Sequence, residues 1–325
     1  MKIIKITRDS GIPLIGAIQF GIIDRGTSWI QVRATSVCNM KCAFCSTSAN
    51  DLDLHPNNFE VDLDYLVDYV KEAVKVKGEG LEVFLDSVGD PTAYPKFVEL
   101  VEKIRKINGI KQITTVTNGT LLTKEKIKAL EKAGLNRINL SLHSLDAEQA
   151  KFLMGNSSYN LEKVKEIAKE ISKTNIELIL VPVYLPDVND KQLEDIIMFA
   201  KEIKAKLGIQ KYETYRHSRK LKEAKDLTYY KFYKKLEELE KKYNVKLKLS
   251  AKDLVQERRP SFPTMFKVGE KVSLIVGCQG FFRNQVLACG RGRCVSVNDC
   301  SRSPGDRINV RILDNRNNVY VGELI

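Results

Sequence analysis

The cysteines of this 325-residue chain fall in two groups, at 38–45 and 278–300. The first reads Cys38-Asn-Met-Lys-Cys42-Ala-Phe-Cys45. Three thiolates at these spacings can wrap three irons of a four-iron cluster and leave the fourth iron without a protein ligand. Zinc would need a fourth ligand, and its motifs pair cysteines as C-x2-4-C with a second pair downstream. Three unrelated buried thiols are the remaining alternative. In the second group, Cys278, Cys289, Cys294 and Cys300 are separated by 10, 4 and 5 residues. Such a set suits a second iron–sulfur cluster or a zinc ion, or stands as unligated thiols. A disulfide framework belongs to small secreted domains and fits neither the length nor the odd total of 7.

The elements that must position these groups follow from periodicity. Short apolar runs at 29–34, 81–85, 112–117, 137–141, 177–183 and 211–215 read as strands. Amphipathic stretches at 63–76, 96–107, 124–133, 161–173 and 191–207 read as helices between them. Six strand–helix units predict an α/β fold, a partial (β/α)6 barrel over 29–220 with helices outside a parallel sheet. The first cysteine group then lies in the loop after the first barrel strand, and strand ends build active sites in such barrels. Residues 1–28 read as a β-hairpin extension, with Gly11, Gly16, Gly21 and Gly26 as turn points. Residues 221–260 read as a charged helix, a strand at 245–249 and a linker around Arg258-Arg259-Pro260. From 261 to 325 short strands separated by Gly, Asn, Asp and Ser predict a small all-β barrel containing the second cysteine group.

With Phe44 before its last cysteine, the Cys-x3-Cys-x2-Cys segment resembles the signature of the radical S-adenosylmethionine (SAM) superfamily. The resemblance spans about residues 29–215. It implies a [4Fe–4S] cluster on Cys38, Cys42 and Cys45, with SAM chelating the open iron and cleaved reductively to a 5′-deoxyadenosyl radical. Ser87-Val88-Gly89-Asp90-Pro91 stands where the superfamily has a Gly-Gly-Glu-Pro-like motif for the amino group of SAM, with Val88 and Asp90 departing from it. Thr117-Asn118-Gly119 and Asn139-Leu140-Ser141-Leu142-His143-Ser144 resemble the strand ends that face SAM and substrate. Cofactor contacts are thereby implied for Phe44, Gly89, Asp90, Asn118, Ser141 and His143. The likeness is greatest to the molybdenum-cofactor-enzyme and twitch-type branch, whose members often carry further C-terminal clusters. Val268-Gly269-Glu270-Lys271-Val272 and Pro304-Gly305-Asp306-Arg307-Ile308-Asn309-Val310 resemble a TRAM domain, a β-barrel appended to tRNA- and rRNA-modifying enzymes.

Charge selects among partners. Residues 1–200 hold 25 Lys and Arg against 27 Asp and Glu, whereas residues 201–325 hold 28 against 14. An excess of +14 in the C-terminal part suits a polyanion, and nucleic acid leads. Arg216 and Arg219, after the sixth strand, and Arg283, Arg291 and Arg293, in the small barrel, are the expected phosphate-contacting residues. Phe281 and Phe282 are candidates for stacking on bases. The expected function is radical modification of RNA, most plausibly tRNA, with ferredoxin or flavodoxin as electron donor. Its rivals are a peptide- or protein-modifying maturase and a small-molecule enzyme of cofactor biosynthesis. No apolar run approaches the roughly 20 residues that span a bilayer, which excludes a membrane partner of that kind and places the expected enzyme in the cytoplasm. The oligomeric state is open.

Overall fold

A computed structural model describes residues 2–248 and 256–325. The first strands along the chain are β1 (Lys2–Ile6), β2 (Gly21–Asp24), β3 (Trp29–Arg33) and β4 (Asn57–Val61). Strands and helices then alternate through α1 (Leu63–Lys77), β5 (Leu81–Leu85), α2 (Phe97–Arg105), β6 (Ile110–Thr117), α3 (Lys124–Lys132) and β7 (Arg137–Leu140). The alternation continues with α4 (Ala147–Met154), α5 (Leu161–Ile171), β8 (Glu177–Leu180), β9 (Val183–Tyr184), α6 (Asp190–Glu202), β10 (Lys206–Leu207) and β11 (Gln210–Lys211). Helix α7 (Tyr229–Tyr243) precedes β12 (Lys271–Gln279), β13 (Val286–Gly290), β14 (Arg293–Asn298), β15 (Arg307–Asp314) and β16 (Val321–Leu324). The architecture is a mixed α/β core with a small closed β-barrel at the C-terminal end. No helix among the described residues is long and apolar enough to cross a membrane.

The chain packs as two compact units, Met1–Cys38 with Asn50–Ile113 and Glu257–Ile325, and Asn39–Ala49 with Thr114–Gln256. In the first, β3 pairs in parallel with β5 and antiparallel with β2. Arg33 forks onto both oxygens of Asp86 at 3.0 and 2.8 Å, joining β3 to the end of β5. Helix α1 starts because the Asp62 carboxylate caps it, accepting from the Tyr65 N–H at 3.0 Å. At its other end the fully buried Lys77 ammonium meets Asp24 at 2.6 Å. Asp24 also accepts from the Phe262 N–H at 2.9 Å, and Lys77 donates to the Pro260 carbonyl. A buried ion pair of this kind needs such extra bonds to offset its desolvation.

Strands β12-β13-β14-β16-β15 close the barrel of this unit. Alternation of exposed and buried residues along β12 sends Val272, Leu274 and Val276 inward onto Phe266, Val295 and Tyr320. That period of two is what a strand with one buried face requires. The barrel is laced to residues 12–16: Cys294 N–H donates to the Ile15 carbonyl at 2.8 Å and Tyr320 N–H to Gly16 at 3.0 Å.

In the second unit β6, β7, β8 and β10 run parallel. Helix α5 illustrates the local logic: Asn160 caps it and Leu161, Val164, Ile167, Ala168 and Ile171 form its buried stripe. Four expectations are corrected here. Residues 1–28 do not pair with themselves as a hairpin, since β1 runs parallel to β4 and β2 pairs with β3. The helix expected to reach 207 ends at Glu202, because Lys204 takes a left-handed conformation (φ 56°) and 206–207 joins β8 as β10. The strand expected at 211–215 is only the two-residue β11. Of the strand expected at 245–249, residues 245–248 are irregular and 249 lies outside the described residues.

Candidate active site

The loop carrying Cys42 and Cys45 is held from several sides within the second unit. Lys41 and Ala43 N–H groups donate to the Met154 and Leu153 carbonyls at 3.1 and 2.9 Å, docking the loop on the C-terminal end of α4. Gly155 makes that docking possible. Its φ of +59° ends the helix, and a Cβ there would lie 1.9 Å from the Lys41 carbonyl oxygen. Arg219 grips the loop from the opposite segment. Its guanidinium donates to the Cys42 carbonyl at 3.0 Å and to the Ala49 carbonyl, while its N–H reaches the Cys45 carbonyl at 2.9 Å. Both thiols are half-buried. Cys42 Sγ lies 4.0 Å from Met154 Sδ, and Cys45 Sγ lies 3.3 Å from Thr47 Oγ1 and accepts from the Ala49 N–H at 3.4 Å.

Phe44 and His143 form a wall beside the loop, with ring centroids 4.7 Å apart and edge to face. His143 is buried, and burial lowers its pKa from 6.5 to about 4. Its Nδ1 accepts the Val183 N–H at 3.0 Å, so the neutral ring carries its proton on Nε2. Asn189 braces the same corner, donating to the carbonyls of His143 and Val183 at 2.9 and 3.0 Å. The buried Asn118 donates to Asn39 Oδ1 at 2.9 Å and accepts from Thr120 N–H at 3.0 Å, and Asn39 donates to Thr120 Oγ1 at 2.8 Å. Ser141, half-buried just beyond β7, donates its N–H to Thr117 at 2.9 Å.

In the first unit Cys38 is half-exposed, and its carbonyl accepts from Asn50 Nδ2 at 2.7 Å. Gly89 passes so close to the preceding strand end that a Cβ would lie 2.3 Å from the Val37 carbonyl oxygen. The adjacent Asp90 N–H donates to that carbonyl at 2.8 Å. Asp90 is buried, and its Oδ1 accepts from Thr92 N–H and Oγ1 at 2.9 and 2.6 Å. Among the described residues no group of three or more His, Cys, Asp or Glu is gathered as a metal site. The chemistry of the loop nonetheless suits an iron–sulfur cluster. Its donors are soft thiols spaced over residues 38–45, and the loop carbonyls at Cys42, Cys45 and Ala49 are already engaged by Arg219.

The second cysteine group is not assembled as four ligands. Cys300 lies in the apolar barrel core with Val286, Val297 and Tyr320. Cys289 and Cys294 face each other at 4.0 Å, and Cys294 Sγ donates to the Pro13 carbonyl at 3.0 Å. Cys278 is buried, and burial followed by the neighbouring Cys289 pushes its thiol up to about 12.

The expected basic face is also dispersed. Arg293 is buried and donates to the Gly292 and Pro263 carbonyls at 3.0 and 2.9 Å. Arg291 pairs with Glu270 at 2.8 Å, and Arg283 donates to the Asp53 carbonyl at 2.9 Å. Arg216 is exposed. Phe281 is buried under His55, their rings stacked at 3.9 Å, which removes it as a base-stacking surface. Sequence alone gives Asn39, Gly155 and His55 no role. Only Asn39, between two loop cysteines, carried a positional signal.

The family model described as the radical SAM superfamily matches residues 32–200. The uncharacterized protein MJ0103 of Methanocaldococcus jannaschii is 35% identical over 342 residues, covering 97% of this chain and 79% of that protein. A GTP 3′,8-cyclase of Aquifex aeolicus is 30% identical over 190 residues, 58% of each chain, so this chain spans little more than half of that enzyme. The crystal structure of Streptococcus suis SuiB bound to S-adenosylmethionine shares the fold with a TM-score of 0.53 at 20% identity, over 73% of this chain and 49% of that one.

Proposed function

This chain belongs to the radical SAM superfamily, an enzyme family, and on that premise we propose that it acts on a small molecule in cofactor biosynthesis. The observation carrying the substrate class is that a series of relatives, 29–32% identical over 53–74% of this chain, are GTP 3′,8-cyclases, enzymes named for a nucleotide substrate. The expected RNA substrate, and with it the TRAM-type role for the C-terminal barrel, is overturned by those relatives. Burial of Arg293 and the pairing of Arg291 with Glu270 agree with the correction.

Cys38, Cys42 and Cys45 would hold the cluster, and Arg219 would keep the loop carbonyls fixed while it is held. Bound there, the cluster and SAM supply one-electron chemistry that cleaves the SAM carbon–sulfur bond. Asp90, Asn118 and Ser141 offer polar groups at strand ends for SAM, with Gly89 giving close backbone access. Phe44 and neutral His143 would exclude water from one wall. A ferredoxin or flavodoxin is the proposed electron source.

Anaerobically reconstituted protein should form 5′-deoxyadenosine from SAM with dithionite, and Cys42→Ala should abolish it. The small-molecule fraction of a cell extract, and GTP as a defined probe, are then compared with total tRNA. Acceleration by the small-molecule fraction supports the proposal. Acceleration by tRNA alone would overturn the substrate class, and unimpaired cleavage by Cys42→Ala would overturn the ligand assignment.

A further inference from the structure

Cys289 and Cys294 occupy directly opposed positions on β13 and β14, next to a hairpin turn at Arg291-Gly292. Both turn residues have positive φ, 47° and 68°, as a two-residue turn of this kind requires. Counting outward from the turn, Gly290 and Arg293 form the hydrogen-bonded closing pair, so Cys289 and Cys294 form the next, non-hydrogen-bonded pair. The Cys294 N–H agrees, since it points away from β13 and donates to the Ile15 carbonyl at 2.8 Å. Opposed residues of a non-hydrogen-bonded pair have the shortest cross-strand Cα separation, about 4.5 Å, within the range a disulfide spans.

The two thiols are unequal. Cys289 is partly exposed, whereas Cys294 is fully buried with Sγ 4.0 Å from its partner and 3.0 Å from the Pro13 carbonyl. Space around the pair is confined. A Cβ at Gly277 would lie 3.1 Å from Cys289 Sγ and 2.9 Å from Ile12. The other two cysteines of the segment are differently placed. Cys278 opposes Leu287 across a bulge in β12, and Cys300 packs in the barrel core.

We infer that Cys289 and Cys294 form a redox dithiol that closes to a cross-strand disulfide by exchange with a small disulfide, rather than two ligands of a second cluster. Cys289, reached first, attacks one sulfur of the reagent as a thiolate and releases one thiolate leaving group. Cys294 then gives up its proton and attacks Cys289 Sγ, releasing the second thiol. The protein loses two protons and two electrons in forming one S–S bond, and the reagent gains both in becoming two thiols. Closure also removes the S–H that Cys294 donates to Pro13, so oxidation loosens the bond between the barrel and the 12–15 segment.

The test uses the full chain, treated anaerobically with a series of oxidised glutathione concentrations. Remaining thiols are alkylated, and the peptides are mapped by mass spectrometry, with fragmentation separating Cys294 from Cys300. Two alkylation sites should be lost together at low oxidant, Cys289 and Cys294 in one linked species, while Cys278 and Cys300 stay alkylated. Dithiothreitol should restore both, and Cys289→Ser should leave Cys294 reduced. A glutathione adduct that persists on Cys289 without linkage, or equal oxidation of Cys278 and Cys300, would overturn the inference. So would iron retained by the Cys38/Cys42/Cys45 triple variant and lost on replacing Cys289, because that assigns the pair to a cluster.

Discussion

At the scale of single residues, burial decides what each polar side chain can do. His143 has a folded pKa of about 4 against 6.5 for the exposed ring, because burial disfavours its charged form. As pH falls, the unfolded chain therefore takes up this proton before the native one. The contribution is complete above about pH 6.5 and is lost between there and about pH 4, a total of roughly 3 kcal/mol. Urea unfolding at pH 7 and pH 5 should show a smaller loss of stability in His143→Gln than in the parent, and equal losses would refute it. Arg219 works through geometry. Replacing it by alanine leaves the Cys42 and Ala49 carbonyls without their donor, worth about 1–3 kcal/mol of loop order. We expect less iron per chain after reconstitution with an unchanged circular dichroism spectrum. Arg219→Lys should recover little of it, since an ammonium cannot reproduce the planar fork.

At the scale of elements, the end of α4 is the joint on which the cysteine loop rests. Gly155→Ala asks a Cβ to occupy space 1.9 Å from the Lys41 carbonyl, where only a backbone shift relieves the clash. The expected cost is about 2 kcal/mol or more, read as a lowered Tm together with reduced iron loading. Ala substitution at Gly269, where a Cβ would meet nothing within 4 Å, is the matched control for the conformational cost of positive φ alone. Local pattern failed where two periods coincide. Ile203 and Leu207 continue the four-residue spacing of α6, yet 206–207 pairs with β8 because the chain turns at Lys204. Spacing cannot register a left-handed residue that a neighbouring strand stabilises.

For the molecule as a whole, the C-terminal barrel belongs to the first unit and is not an independent appendage. Asn57 Nδ2 donates to the Gly280 carbonyl at 3.1 Å, Arg283 N–H to Leu54 at 3.1 Å, and His55 stacks on Phe281. Deleting residues 267–325 would strip partners from 12–16 and 54–57 and expose the apolar side chains they cover. The truncated chain should show a lower Tm, a broader transition and binding of a hydrophobic dye. Retention of a sharp, parent-like transition would show that the barrel is dispensable to folding.

Cysteine type and spacing single out residues 38–45 as the candidate chemical centre, because ligand chemistry is a local property of side chains in one loop. Strand and helix periodicity likewise located most elements of the α/β core and the closed barrel, whose burial patterns are written in the chain at periods of 3.6 and two. Net charge misled. Lysines and arginines counted along 201–325 suggested a polyanion, but Arg219, Arg291 and Arg293 bond carbonyls and a carboxylate of their own fold. The partition of the second cysteine group was equally beyond sequence. Cys289 and Cys294 face each other and Cys300 joins the barrel core because of strand register, which depends on contacts between residues distant in sequence. Tertiary structure alone decides which side chains meet, since register and burial are properties of neighbours that spacing along the chain does not contain.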